Sequence, residues 1–263
     1  MHVARKRFGQ HFLHDPGIIG RIIGAIAPRP DDVMVEIGPG LGAITLPLLG
    51  QLRELDAVEI DRDAIRHLRS LTSDDRPGRG VLRIHEADAL EFDSSTLCRS
   101  NAPLRLVGNL PYNISTPLLF RLIEQRQHIH DMHFMLQKEV VDRMGASAGD
   151  DAYGRLSVML APWLRVEPLF DIGPGAFRPP PRVVSTFVRL APHATPPFVL
   201  GNAPRFAALV AAAFSQRRKT LRNSLKALLN EEQIRAAGID PGARAEVISP
   251  EGFAALANVQ IDG

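Results

Sequence analysis

The stretch Val33–Thr45, "VMVEIGPGLGAIT", decides the fold. Val33–Ile37 is a short apolar run of strand character. Gly38, Gly40 and Gly42 follow it, and "AITLPLLGQL" then reads as a helix with an irregularity at Pro47. A glycine loop between a strand and a helix can be only a tight turn. It can also let backbone N–H groups approach a ligand closely, because no Cβ intervenes. The dinucleotide pattern is incomplete, since Ala43 stands near where its third glycine belongs. The phosphate-loop pattern fails, because no Lys-Ser/Thr follows. The loop therefore points to a nucleoside ligand without a demanding phosphate.

Working outward, helices and strands alternate. Pro16–Ala27 has helical apolar spacing with Asp15 as its cap. Further apolar strands read at Leu55–Ile60, Val81–His85, Leu104–Asn109 and Met132–Gln137, with "RDAIRHLRSL" and "STPLLFRLIEQ" as helices between them. Strands separated by helices predict a mostly parallel sheet covered on both faces, an α/β Rossmann-like fold. After Gly145 the pattern changes. "VEPLFDI" and "VVSTFVRL" read as an antiparallel pair split by the proline-rich "GPGAFRPPPR". From Arg205 onward the chain reads helical. The linear reading thus gives a catalytic domain over 1–194 and a small all-α domain over 195–263.

Two acids extend the glycine loop into a crevice. Glu59 closes the second strand, where a carboxylate can accept from both hydroxyls of a ribose. Asp88 follows the third strand and can accept from an adenine amino group. An acid at a strand end is often merely solvated. Three successive strand ends carrying glycines, Glu59 and Asp88 converge on one site. The next strand ends in Asn109-Leu110-Pro111-Tyr112: an amide, a carbonyl, a rigid residue and a ring.

Charge is unevenly placed although the formal net charge is only +2. Asp31–Asp93 holds fourteen Asp or Glu against seven Arg. Ile172–Asn230 holds nine Arg or Lys and no acid. A solvated basic face is the plain alternative, but two basic zones around an acidic middle favour a nucleic-acid partner. Arg217, Arg218, Lys219, Arg222 and Lys226 are the candidate phosphate contacts, with Arg218, Arg222 and Lys226 on one face of a continuous helix. The single cysteine, Cys98, and the lack of a signal sequence fit a cytoplasmic protein. No metal is expected at "HIHDMH", which lacks a supporting cysteine or acid cluster. "GASAG" lacks the strand–turn–helix setting of a serine nucleophile.

The blocks "RKRFGQHFL", "VEIGPGLGAIT", "GNLPYNIST", "MLQKEVVDRM", "YGRLSVM", "AFRPPPRV" and "QRRKTLRNSL" occur in order along nearly the whole chain. Together they resemble the KsgA-type ribosomal RNA adenine dimethyltransferases, within the class I S-adenosylmethionine-dependent methyltransferases. The resemblance implies a seven-stranded sheet and S-adenosylmethionine as cofactor, leaving S-adenosylhomocysteine. It implies transfer to N6 of two adjacent adenosines in the 3′-terminal hairpin of small-subunit (16S) ribosomal RNA, within an immature subunit and with a role in its biogenesis. By motif position, Gly38 and Gly40 would border the methionine portion, Glu59 hold the ribose and Asp88 the adenine. His11 and Leu13 would close over the cofactor; many members have Asn at the position of His11. The Asn109 side-chain oxygen and the Leu110 carbonyl would accept from the target amino group. Pro111 would fix that carbonyl, Tyr112 stack on the base, and Phe177 cover its other face. Asn109 would also border the cofactor. The alternatives are a large-subunit resistance methylase, a non-catalytic assembly factor and a nicotinamide oxidoreductase. A monomer is expected, because no self-association surface is evident.

Overall fold

The computed structural model describes residues 11–73, 79–98, 102–216 and 218–260. The chain forms two compact units. One comprises the residues up to Val141 together with Val166–Pro192, and the other comprises Asp142–Arg165 with the residues from His193 onward. The linear boundary at 194/195 lies close to the third crossing point, at 192/193, but Asp142–Arg165 joins the helical unit rather than the sheet unit.

The sheet unit opens with a two-residue strand β1 (Phe12–Leu13), which runs into helix α1 (Pro16–Ile26). Asp15 caps α1 by accepting from the Ile18 N–H, and Pro16 fills a first-turn position that needs no donor. Then follow β2 (Val33–Ile37), α2 (Thr45–Leu49), β3 (Glu54–Glu59), α3 (Arg62–Thr72), β4 (Val81–Glu86), β5 (Leu104–Asn109), α4 (Ser115–Glu124), β6 (Ile129–Gln137) and α5 (Lys138–Gly145). Helix α6 (Arg155–Leu160) belongs to the other unit. Strands β7 (Leu164–Ile172), β8 (Phe177–Arg178) and β9 (Ser185–Pro192) complete the sheets. The seven-stranded order is β4-β3-β2-β5-β6-β9-β7. β2 pairs in parallel with β3 and β5, whereas β9 is antiparallel to β6. The strand order reverses direction between β2 and β5, and ligands gather outside the carboxyl ends of strands at such a point. Gly108 makes that pairing possible. A Cβ there would lie 2.4 Å from the Ile37 carbonyl oxygen.

Apolar side chains from α1, α2, β2 and β9 form the core of this unit, including Ile22, Ile26, Met34, Leu48 and Phe187. At the amino ends of β5 and β6 an ionic row crosses the sheet. Asp131 accepts from Arg105 Nε at 2.9 Å and from Arg189 Nε at 3.2 Å. Arg105 reaches Asp32 at 2.7 Å and the Ile26 carbonyl at 2.7 Å, and Arg189 reaches Glu167 at 3.0 Å.

The second unit also holds α7 (Ala203–Ala213), α8 (Leu221–Ser224), α9 (Glu231–Ala236) and α10 (Pro250–Asn258) around Phe206, Leu209, Val210, Leu225 and Phe253. The continuous basic helix expected from Arg205 to Leu229 is broken. Thr220 bridges Arg244, and the N–H groups of Leu221 and Arg222 donate to the Ala243 and Pro241 carbonyls. A tertiary partner therefore takes backbone groups that a longer helix would have used internally. Among the described residues no helix is long and apolar enough to cross a membrane.

Candidate active site

The carboxyl ends of β2, β3 and β5 border one cleft, lined by His11, Phe12 and Leu13, by the loop from Gly38 to Ala43, by Glu59 and Ile60, and by Asn109 to Ile114. Gly38 and Gly40 adopt φ of +66° and +55°, a region side chains rarely enter. A Cβ on Gly40 would also come within 3.3 Å of the Phe12 ring. The glycines thus make a cradle against the N-terminal strand.

Glu59 is 7% exposed and heavily bonded. Its Oε1 accepts from the N–H groups of Ile60 (2.9 Å) and Asp61 (2.8 Å), and Oε2 accepts from Gly40 at 3.2 Å. Burial pushes its pKa up, opposed by these three bonds, with Asp61 raising it further. A carboxylate has about four acceptor positions. Three are taken, so the open one on Oε2 is where a further hydroxyl can be held.

Glu36, one strand over, is 2% exposed, and its Oε2 has no hydrogen-bond partner among the described residues. Burial drives its pKa up to about 8. The nearby Thr45 hydroxyl lowers it without reaching hydrogen-bond geometry, and Glu59 raises it. An unsatisfied buried carboxyl is costly and marks a place where a donor or cation is received. Sequence reading passed over Glu36 as a strand residue. The signal was a charged side chain inside an otherwise apolar run. It also passed over Ile60, which lines the cleft while 50% exposed.

At the other wall, the Asn109 side-chain Nδ2 donates to the His11 carbonyl at 2.9 Å. Its Oδ1 and the Leu110 carbonyl oxygen have no protein donor among the described residues. Tyr112 is partly buried, its hydroxyl 2.9 Å from Ser185 Oγ, and its ring centroid 5.9 Å from that of His11 at a tilt of 31°. Burial raises the Tyr112 pKa, and the Ser185 bond opposes this. The His11 Nδ1 lies 2.8 Å from the Pro179 carbonyl oxygen. His11, Leu13, Gly38, Gly40, Glu59, Asn109, Leu110, Pro111 and Tyr112 therefore share one cleft.

Two expected residues stand apart from it. Asp88 does not line the cleft, and its Oδ1 accepts from the Leu90 N–H at 2.9 Å, closing the turn after β4. Phe177 does not face the opening. It is 2% exposed, pairs opposite Leu13 through β8 and β1, and belongs to the core, because an apolar ring gains more there than in solvent. Of the basic residues, Arg218, Lys219, Arg222 and Lys226 are exposed, but the break before α8 removes their common helical face. Arg222 also lies 3.9 Å from Glu231. Arg217 lies outside the described residues. No group of three His, Cys, Asp or Glu side chains suited to a metal occurs among the described residues.

A mostly parallel seven-stranded sheet, with a glycine cradle, a strand-end acid and Asn-Leu-Pro-Tyr meeting at its reversal point, is the architecture of a class I methyltransferase. The chain matches the ribosomal RNA adenine dimethylase family over residues 1–262. It is 56% identical over 255 residues to the ribosomal RNA small subunit methyltransferase A of Methylococcus capsulatus, covering 97% of each chain. Among solved structures it is similar to a dimethyladenosine transferase from Plasmodium falciparum, at 28% identity and a TM-score of 0.76, covering 94% of this chain and 96% of that one. It is also similar to the 23S rRNA methyltransferase ErmE, at 27% identity and a TM-score of 0.70, covering 94% and 98%. The chain belongs to the ribosomal RNA adenine dimethylase family, and is accordingly an S-adenosylmethionine-dependent methyltransferase with ribosomal RNA as substrate. The family, fold class and enzyme class expected from the motifs are borne out.

Proposed function

We propose that the protein dimethylates N6 of two adjacent adenosines in the 3′-terminal hairpin of small-subunit ribosomal RNA. One observation carries the reading. The cleft containing the glycine cradle, Glu36 and Glu59 also contains Asn109, Leu110 and Tyr112, so a nucleoside cofactor and a target base meet at one opening. The residues fit S-adenosylmethionine. Two buried carboxyls suit a cationic ligand, Gly38 and Gly40 leave room for its chain, and the open acceptor on Glu59 suits its ribose. In this reading Asp88, which does not line the cleft, takes the cofactor's adenine through its other oxygen at the edge of the site.

The adenine amino group is a poor nucleophile, because its lone pair is shared with the ring. Asn109 Oδ1 and the Leu110 carbonyl accept from its two N–H bonds, favouring the pyramidal nitrogen that attacks. Pro111 restricts the backbone so that the carbonyl keeps its aim. The Tyr112 ring receives the face of the base. The cofactor supplies a methyl group already activated on a sulfonium, so positioning and electrostatics account for most of the acceleration. Once alkylated, the nitrogen loses its proton to water without a dedicated base. A monomethylated adenine keeps one N–H and uses one acceptor in the second transfer.

The small subunit is favoured by the identity to small-subunit methyltransferases, 56%, against 27% to the 23S enzyme. In this reading a cytoplasmic monomer acts on an immature subunit, with Arg218, Lys219, Arg222 and Lys226 on RNA phosphates. Methyl-labelled cofactor, incubated with immature small subunits and with large subunits, should label only the former, with primer-extension stops at the adenosine pair. Asn109→Ala should lower transfer about 100-fold or more while cofactor affinity changes little. Undiminished turnover in that variant, or labelling confined to large subunits, would overturn the proposal.

A further inference from the structure

We infer that Ser185 is a positioning residue for this reaction, acting through the Tyr112 ring; the inference rests on the reading of the cleft above. Tyr112 sits in the turn between β5 and α4, outside any regular element. Nothing in the backbone ladder fixes its ring. Its hydroxyl, however, lies 2.9 Å from Ser185 Oγ. Ser185 is 1% exposed at the start of β9, opposite Gln137 of β6 in a register that continues to Leu190 opposite Met132. The phenol is therefore tethered to a six-pair ladder of the sheet, at the carboxyl end of β6.

The tether defines the ring from one end while the His11 imidazole borders it at 5.9 Å. The Ser185 hydroxyl makes no other side-chain hydrogen bond among the described residues, so its polar function is spent on Tyr112. A serine there solely for packing would be replaceable by alanine. A serine that sets the plane on which a base stacks would not, because small misplacements of a positioned group reduce rate steeply. The two residues lie 73 positions apart, and Ser185 stands in the run "VVSTFVRL" just after the proline-rich block, eight residues after Phe177.

The test is a mutant cycle of Ser185→Ala, Tyr112→Phe and the double variant. Tyr112→Phe keeps the ring and removes only the tether. Each single variant should lower kcat/KM for the RNA by about three- to tenfold, the scale of one hydrogen bond. The double variant should lose no more than either single one, and cofactor affinity should stay unchanged. The chain has only two tyrosines, so ring NMR signals of labelled Tyr112 and Tyr153 can be told apart. Ser185→Ala should shift or broaden the Tyr112 ring signals and leave those of Tyr153 in place. Wild-type kcat/KM in Ser185→Ala, additive losses in the cycle, or an unmoved Tyr112 signal overturns the role of Ser185. Failure of the wild-type chain to methylate any adenosine would instead overturn the underlying reading of the cleft.

Discussion

Replacing Glu36 by Gln should stabilise the sheet unit, and by an amount that grows with pH. The Glu36 carboxyl is 2% exposed and its Oε2 is unpartnered. Burial, opposed by the Thr45 hydroxyl and helped to a lesser degree by the Glu59 charge, raises its pKa from 4.5 to about 8. Between these two values the unfolded chain is ionised while the folded one keeps the proton. Folding then takes up a proton, so stability falls as pH rises through the window and levels off above about 8. The slope reaches about 1.4 kcal/mol per pH unit in mid-window and flattens near both pKa values, which leaves about 3–4 kcal/mol between pH 5 and 8. Gln is close in shape to the protonated acid and does not titrate. The stability difference between Glu36→Gln and wild type should therefore widen by about 3–4 kcal/mol over that range, while titrations common to both cancel. Native-state hydrogen exchange of the β2 and β5 amides, at pH 5, 6, 7 and 8, reads this unit alone. An equal difference at pH 5 and pH 8 would refute the reasoning, since Glu36 would then be ionised in the fold. The same group makes a linked statement about ligand. A cationic cofactor favours the carboxylate, so binding at pH 7 should release a proton from the wild type and not from Glu36→Gln. Calorimetry in buffers of different ionisation enthalpy measures this directly.

Other perturbations follow from single distances. Gly108→Ala puts a Cβ 2.4 Å from the Ile37 carbonyl oxygen, and relief requires β2 and β5 to part. A loss of about 3 kcal/mol or more is expected, and an unchanged thermal midpoint would contradict it. Asp131 is buried, and burial alone would raise its pKa, but the Arg105 bonds and neighbouring positive charge bring the net shift below 3.8. Its stabilising effect is present above that value and fades as pH falls through the lowered pKa. Asp131→Asn should cost about 3–5 kcal/mol at neutral pH by leaving Arg105 and Arg189 short of charge. That difference should shrink in acid, and a pH-independent cost would count against an ionic origin. Arg218→Ala and Lys219→Ala should each weaken RNA binding and lower the magnitude of the slope of log affinity against log salt by roughly 0.7–0.9. An unaltered slope would remove these residues from the phosphate contacts.

What was legible in the sequence was whatever short-range pattern encodes. The runs at Val33–Ile37 and Leu104–Asn109 appear as strands with the expected bounds, because apolar strands buried on both faces leave uninterrupted apolar sequence. The glycine loop, Glu59 and Asn109 were legible as strand-end residues for the same reason. The pairing of Phe12–Leu13 with Phe177–Arg178 was not, since a two-residue ladder has no periodicity and its partners lie some 165 positions apart. That pairing accounts for the burial of Phe177, which its motif alone left facing the opening. The basic segment shows the converse. Its helical spacing continues through Arg218 and Arg222, yet α7 ends at Ala213, and the loop around Pro241–Arg244 takes the Leu221 and Arg222 N–H groups, so α8 starts anew instead of continuing α7.

Asn109 shows why identity and orientation are separate problems. The motif supplies an amide, which is an acceptor at one end and a donor at the other. Which end faces the cleft is decided by the His11 carbonyl, 98 positions away, which accepts from Nδ2 at 2.9 Å and turns Oδ1 outward. An aspartate would offer the same outward acceptor but set a second oxygen against that carbonyl, with no donor to bridge them. In the proposed reading the amide is thus required less by the target base than by the His11 carbonyl behind it. Tyr112 follows the same logic: its ring is local to the motif, and its tether to Ser185 is not. In the proposed reading the chemistry of this cleft resides in four consecutive residues, and its geometry in contacts with His11 and with β9 that no four-residue window contains.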